Sequence, residues 1–245
     1  MCGFKRTYKL PFKSYIPNYT EDFLANASLL TCRFKYIKRL LFILIRGQKS
    51  LQVENILSEH QRILWINISA PSLGDSLMDL SSRILLKNKK IDLFTSIKNR
   101  DLYQDDQIFN SIFTKKEDVD RIKYDLVIID SFSSRSVNIM YQIAPKVHYV
   151  SMFGYFNGPE VNRVLFSFHR MNQLLGYIKS DVEISNIAKC TISISKSDEI
   201  FVGNLKLPIS YVAIAIGGEW KHRTYENWRQ IIQELNKIDN NLTIV

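Results

Sequence analysis

The stretch Arg62-Ile63-Leu64-Trp65-Ile66-Asn67-Ile68 runs directly into Ser69-Ala70-Pro71-Ser72-Leu73-Gly74-Asp75. A short apolar, β-branched run closed by a Ser/Pro/Gly cluster reads as a buried strand. Leu77, Leu80, Ile84 and Leu85 then recur at helical spacing, so residues 76–86 read as a helix. The alternation repeats downstream. Residues 91–95 (Ile-Asp-Leu-Phe-Thr) read as a second strand, residues 124–130 (Tyr-Asp-Leu-Val-Ile-Ile-Asp) as a third, and residues 146–150 as another. A helix is expected after Ser131–Ser136, and residues 158–178 have helical character. Strands alternating with helices imply a parallel sheet covered on both faces, hence an α/β fold.

Towards the C-terminus, Leu207-Pro208-Ile209-Ser210 opens a linker or a new domain. Residues 211–216 (Tyr-Val-Ala-Ile-Ala-Ile) read as a strong buried strand, followed by Gly217-Gly218-Glu219-Trp220-Lys221-His222-Arg223 and a helix over 225–235. Leu242-Thr243-Ile244-Val245 has strand composition. A core strand there, without the helix and neighbours it needs, implies a second α/β unit cut short. The division expected is an arm over residues 1–61, a Rossmann-like domain over 62–206 and the start of a second domain over 207–245.

Composition excludes several classes. The 245 residues are 46% hydrophobic and 23% charged, as in globular proteins, which rules out bulk disorder. Cys2, Cys32 and Cys190 are odd in number and widely spaced, so they fit neither a disulfide framework nor a zinc signature, and a reducing compartment is expected. The four histidines complete no metal-ligand spacing.

The net charge of +9 is unevenly placed. Residues 1–50 hold ten Lys/Arg and two acids, while residues 51–245 hold 23 basic and 22 acidic residues. That asymmetry points to a polyanionic partner. Within the arm, Phe34, Ile37, Leu41, Leu44 and Ile45 share one helical face, and Lys35, Lys38, Arg39, Arg46 and Lys49 lie opposite; Phe42 and Ile43 break the pattern. Three readings of this basic amphipathic helix stay open: a helix packed on the body with solvated lysines, a helix lying on an anionic membrane surface through Lys35, Lys38, Arg39 and Arg46, or a nucleic-acid contact. The last is disfavoured, because no nucleic-acid-binding motif accompanies the charge. The apolar run Leu40–Ile45 is six residues, far short of the roughly 20 needed to span a bilayer.

Two turns carry candidate chemistry. In open α/β sheets, ligands bind outside the carboxyl ends of strands. There Gly74 permits a sharp turn or close approach of backbone to ligand. Asp75 fits either a general base or a helix N-cap. After the strand at 211–216, Gly217 and Gly218 leave backbone N–H groups able to face a phosphate, and Lys221 adds a mobile cation. The P-loop pattern is absent. Asp130-Ser131 closes another strand in an equivalent position, without the Gly-x-Ser-x-Gly elbow of a hydrolase. Trp65 and Trp228 read as core.

In their order and spacing these pieces resemble glycosyltransferase family 9, the lipopolysaccharide heptosyltransferases and their relatives. The match rests on residues 63–68 with Ser72-Leu73-Gly74-Asp75, on residues 124–130, and on the strand–turn–Lys–helix segment at 211–235. It covers roughly residues 62–245. Three departures stand out: a turn before Leu73 about two residues longer than the family's, Asn67 where the family often has Arg, and Arg223-Thr224 where Trp-Pro is common. The family's later nucleotide-gripping segments have no counterpart. The resemblance implies a GT-B fold and inverting transfer of a sugar from a nucleotide-sugar donor such as ADP-heptose to a glycolipid acceptor, at the cytoplasmic membrane face and with no metal or other cofactor. It implies Asp75 as base, Ser72 and Gly74 on the acceptor-side turn, and Gly217, Gly218 and Lys221 on the donor diphosphate, in a chain that is active or a degenerate remnant. The alternative is a non-catalytic membrane- or nucleic-acid-associated module acting through its basic helix.

Overall fold

A computed structural model describes residues 29–119, 123–154, 162–215 and 225–245. The chain divides into two compact units, Met1–Ser193 and Ile194–Val245. The basic helix belongs to the first of these, and the second begins before residue 207.

In the first unit, α1 (Leu29–Ile45) precedes β1 (Arg62–Asn67), α2 (Leu73–Asp79), a 3-10 segment (Ser81–Leu86), β2 (Lys90–Thr95), the short α3 (Ile97–Arg100) and β3 (Phe109–Phe113). Then come β4 (Leu126–Ile129), α4 (Ser134–Ile143), β5 (Tyr149–Ser151), α5 (Arg163–Leu174) and α6 (Asp181–Ile187). The five strands form one sheet in the order β3-β2-β1-β4-β5, and every pair is parallel. The expected α/β architecture is therefore the one observed, with a Rossmann-like strand order. Residues 52 and 53 run along the outer side of β5, where Gln52 bridges Tyr149 and Val53 N–H donates to Tyr149 O at 2.9 Å.

The two-residue period of a strand explains the core. Leu64, Ile66, Val127 and Ile129 point to one face of the sheet, where Ile43 of α1 and Val137, Met140 and Ile143 of α4 cover them. Ile63, Trp65, Ile91, Leu93, Leu126 and Ile128 point to the other, covered by Leu80, Leu86, Met171 and Leu174. Strands buried on both faces read as unbroken apolar runs, and β1 and β4 have that composition. A buried ion pair, Arg83–Asp106 at 2.6 Å, ties the 3-10 segment to the loop before β3, and Arg83 also donates to Thr191 O.

Several expectations need correction. The helix expected over 76–86 starts at Leu73 and ends at Asp79, after which the chain tightens into 3-10 geometry. β3 was not anticipated. In α1 the residue that spoils the amphipathic pattern is the one that packs: Ile43 is fully buried, with Leu40, Tyr36 and Phe42 half-buried beside it. The expected apolar face points away from the core, and Phe34, Ile37, Leu41, Leu44 and Ile45 are all exposed. The physical reason is that two apolar stripes compete on one helix, and the core took the narrower one.

In the second unit, α7 (Lys196–Asn204) precedes α8 (Trp228–Ile238). Val212 and Ile244 form a parallel bridge, supported by Val212 N–H to Thr243 O and Ile214 N–H to Val245 O. Two extended segments joined through a helix and paired in parallel make a single β–α–β unit. The strand expected to be buried at 211–216 is open: Tyr211, Ala213 and Ala215 are exposed, and only Val212 and Ile214 are half-covered. Among the described residues it has one parallel partner, the segment at Ile244, and that pairing leaves its faces open. Trp228, expected in a core, is half-buried against Tyr225.

Candidate functional site

From β1 the chain proceeds to β2 and β3 on one side, then crosses to β4 and β5 on the other. The topological switch point therefore lies at the carboxyl ends of β1 and β4, where a crevice for ligands forms in such sheets. The residues there are Ile68 to Asp75 and Asp130 to Ser136.

Asp130 joins the two turns at the switch point. Its carboxylate is buried and accepts from the backbone N–H groups of Ile68, Ser69 and Ser131 at 2.9, 2.6 and 2.6 Å, and from Ser136 Oγ at 2.5 Å. Burial pushes this carboxyl above its ordinary range, and the four donors act against that push. Ser69, Ser133 and Ser136 complete a triangle of hydroxyls 2.6 to 2.9 Å apart. Asp130 thus ties the β1 turn to the β4 turn. It is the crevice's tether, with all its partners supplied by the protein.

Ser72 and Asp75 open α2. Ser72 is the N-cap: its Oγ accepts from Asp75 N–H at 3.2 Å and donates to Asp75 Oδ2 at 2.6 Å. Asp75 is therefore the third residue of the helix and not its cap, and its carboxylate accepts from the hydroxyl of the cap. Gly74 sits within the helix with an ordinary φ, and a Cβ there would find its nearest neighbour, Ser72 Oγ, 4.0 Å away. The sharp turn expected of Gly74 is absent.

The other side of Asp75 is held by a residue that the sequence reading did not single out. Arg163, the first residue of α5, donates from Nη1 to Asp75 Oδ1 at 2.7 Å. The same guanidinium grips Asp79, one helical turn on, through Nη2 to Oδ2 at 2.7 Å and through Nε to Oδ1. Its plane lies over the Phe153 ring, 5.4 Å from the centroid, and Phe153 stacks on Phe166. Burial pushes the Asp79 carboxyl up to about 7, with Arg163 pulling the other way. Burial also works against the Arg163 cation, but the two aspartates outweigh it and raise its pKa. The side chain of Asp75 stays 22% exposed, whereas that of Asp79 is 4% exposed. Asp79 is the structural member of this pair and Asp75 the reachable one. A carboxylate oxygen accepts two hydrogen bonds, so each Asp75 oxygen keeps a lone pair for an incoming hydroxyl.

Gly217, Gly218 and Lys221 lie outside the described residues. Of the candidates on α1, Lys35 and Lys38 are exposed. Arg39 is half-buried, and its pKa is lowered by burial against the attraction of Asp130. Arg46 is half-buried over the rings of Phe42 and Tyr141, at 4.7 and 4.8 Å. Among the described residues, no group of three or more His, Cys, Asp and Glu side chains is placed to hold a metal ion. Among them, too, no helix is long and apolar enough to cross a membrane.

This is the frame of a GT-B-type α/β protein. No family model matches the sequence, and no curated protein matches it either. Solved structures do match the fold. A glycosyl transferase family 9 crystal structure from Veillonella parvula is similar with a TM-score of 0.55 at 13% identity, over 78% of this chain and 63% of that one. The E. coli heptosyltransferase WaaC is similar both with ADP (14% identity, TM-score 0.49, 75% of this chain and 66% of that one) and with ADP-2-deoxy-2-fluoro heptose (16%, 0.49, 75% and 67%). At these identities the likeness is one of fold. The chain spans 63% of the length of the Veillonella parvula protein.

Proposed function

We propose that the protein is a glycosyltransferase of the family 9 type, transferring a sugar from a nucleotide-sugar to a hydroxyl of a glycolipid with inversion at the anomeric carbon. The observation that carries this is Asp75: a reachable carboxylate at the lip of the switch-point crevice, fixed on one oxygen by Ser72 and on the other by Arg163. A general base must be held in one orientation and still present a lone pair, and Asp75 meets both needs.

In the proposed step the acceptor hydroxyl attacks the anomeric carbon from the face opposite the nucleotide. The new C–O bond forms as the bond to the diphosphate oxygen breaks. The hydroxyl proton passes to Asp75, and the nucleoside diphosphate leaves with the bonding pair. From the sequence resemblance alone, Gly217, Gly218 and Lys221 are the residues we assign to the diphosphate, where charge grows and an electrostatic contact lowers a barrier most. The transfer requires no cofactor beyond the nucleotide-sugar, with ADP-heptose as the model donor. Ser72 and Gly74 border the acceptor side. Such an acceptor places the protein at the cytoplasmic face of a membrane.

Calorimetric titration with ADP- and UDP-sugars, of the wild type beside Lys221→Ala, tests this reading. Binding that Lys221→Ala weakens supports it, and no detectable binding of any nucleotide-sugar ends it. The exposed stripe on α1 favours one other reading, a non-catalytic module that acts only through its helix. Vesicle binding without nucleotide-sugar binding is its signature.

A further inference from the structure

α1 has two apolar faces, and the protein uses one. Ile43, Leu40 and Tyr36 face the sheet. On the far side Leu30, Phe34, Ile37, Leu41 and Leu44 follow one another at steps of four and three, Ile45 stands four residues from Leu41, and all six are exposed, Ile45 at 82%. Steps of three and four align side chains along a helix, so these six form one continuous stripe. Over 17 residues the helix is roughly 25 Å long. A contiguous apolar surface of this kind on a soluble fold marks a contact.

Charge identifies what it contacts. Lys38, expected opposite the stripe, is four residues from Phe34 and three from Leu41 and so lines its edge, with Lys35 one turn before it; both are exposed. Arg46 continues that side beyond Phe42. An in-plane membrane helix has this layout, with apolar side chains among the acyl chains and flanking cations at the headgroups. The rest of the chain, residues 51–245, is almost neutral, so the attraction is local to this helix and the segment before it. A second copy of the protein is a poor occupant. Stripe-to-stripe pairing would bring together two N-terminal segments that each carry ten basic and two acidic residues.

We infer that the exposed face of α1 docks on an anionic lipid leaflet, with Leu30, Phe34, Ile37, Leu41, Leu44 and Ile45 inserted and Lys35 and Lys38 at the headgroups. The basic side alone does not make this contact; the apolar stripe does. The inference rests on the glycolipid reading for its biological sense, while its test involves no sugar transfer, so either can fail alone.

Flotation with vesicles of phosphatidylcholine containing phosphatidylglycerol is the test, with pure phosphatidylcholine vesicles and free protein as references. Wild type is expected to float with the anionic vesicles. Lys35→Gln/Lys38→Gln is expected to lower partitioning about 30-fold, from about 1 kcal/mol per cation. Phe34→Gln/Leu41→Gln/Ile45→Gln is expected to lower it more than about 100-fold. Both sets are exposed, so unchanged far-UV circular dichroism and melting are expected. No flotation of the wild type overturns the inference, and so does flotation that the triple variant retains. Concentration-dependent dimerisation abolished by the triple variant, without vesicle binding, overturns it in favour of a second copy.

Discussion

Arg163 joins Asp75 to Asp79: one guanidinium, 2.7 Å from each carboxylate, bridges two residues a single helical turn apart from a helix that begins 84 residues later. The arrangement separates two jobs. Asp79 takes the fork of the guanidinium and is buried beneath it, while Asp75 takes the remaining nitrogen and stays partly exposed, as Arg163 itself does.

That division predicts different outcomes at neighbouring positions. Asp75→Asn should fold normally and lose about 10²- to 10⁴-fold in kcat, the usual worth of a positioned base. Arg163→Ala should cost about 3–5 kcal/mol in urea unfolding, because Asp79 is left buried without its partner. Arg163→Lys keeps the cation but not the planar fork. Its expected signature is a lower kcat at unchanged KM, as fits a positioning residue.

Gly74 offers a test without charge. A methyl group there meets nothing closer than 4.0 Å, so Gly74→Ala should leave the melting temperature unchanged or raise it, by up to about 1 kcal/mol of stability. If the acceptor approaches this backbone, KM for the acceptor rises severalfold in the same variant. A variant that is at once as stable and as active as wild type removes Gly74 from the acceptor side.

The sequence made much of the sheet legible and some of the site. β1 and β4 are buried on both faces, and such strands announce themselves as apolar runs. β3 (Phe-Asn-Ser-Ile-Phe) is the outermost strand, pairs on one side only among the described residues and carries two polar residues in its middle, so it lacks that signal. Ser72 and Asp75 lie within one turn, and local spacing is enough to find them. Arg163 stands 88 residues from Asp75, and no local pattern joins them; only the packing of α5 over α2 does. On α1 the periodicity was readable, but which of two apolar faces meets the body depends on the shape of the sheet surface, which no spacing encodes.

Helix α1 supplies a third prediction. Ile43→Ala should cost about 2–5 kcal/mol in equilibrium unfolding, because the side chain is fully buried between sheet and helix. Ile45→Ala, two residues on, should change stability by no more than about 0.5 kcal/mol. Equal losses at the two positions would contradict the orientation of the helix.

Acid sensitivity gives a fourth. His60 is buried, and its Nδ1 accepts from Leu57 N–H at 3.1 Å, a bond that only the neutral ring can accept. Burial holds its pKa below the ordinary 6.5, with the Glu59 charge opposing. In the unfolded chain the ring takes up a proton first as pH falls. The stability contributed by neutral His60 is therefore complete above about pH 6.5 and is lost progressively below it. Urea unfolding between pH 8 and 5 should show the wild type losing stability below 6.5 more steeply than His60→Asn. Parallel curves would assign the acid response to other groups.

The pairing of residues 52 and 53 with Tyr149 has a consequence for how the molecule keeps to itself. A parallel sheet that stops at a three-residue strand leaves a row of unmet backbone donors and acceptors, an adhesive margin that recruits foreign strands. Here the chain's own approach to β1 occupies that margin. Replacing Gln52 and Val53 with prolines would keep α1 and all five strands yet bare the flank of β5, and such a protein would be expected to self-associate into aggregates instead of behaving as a tidy domain.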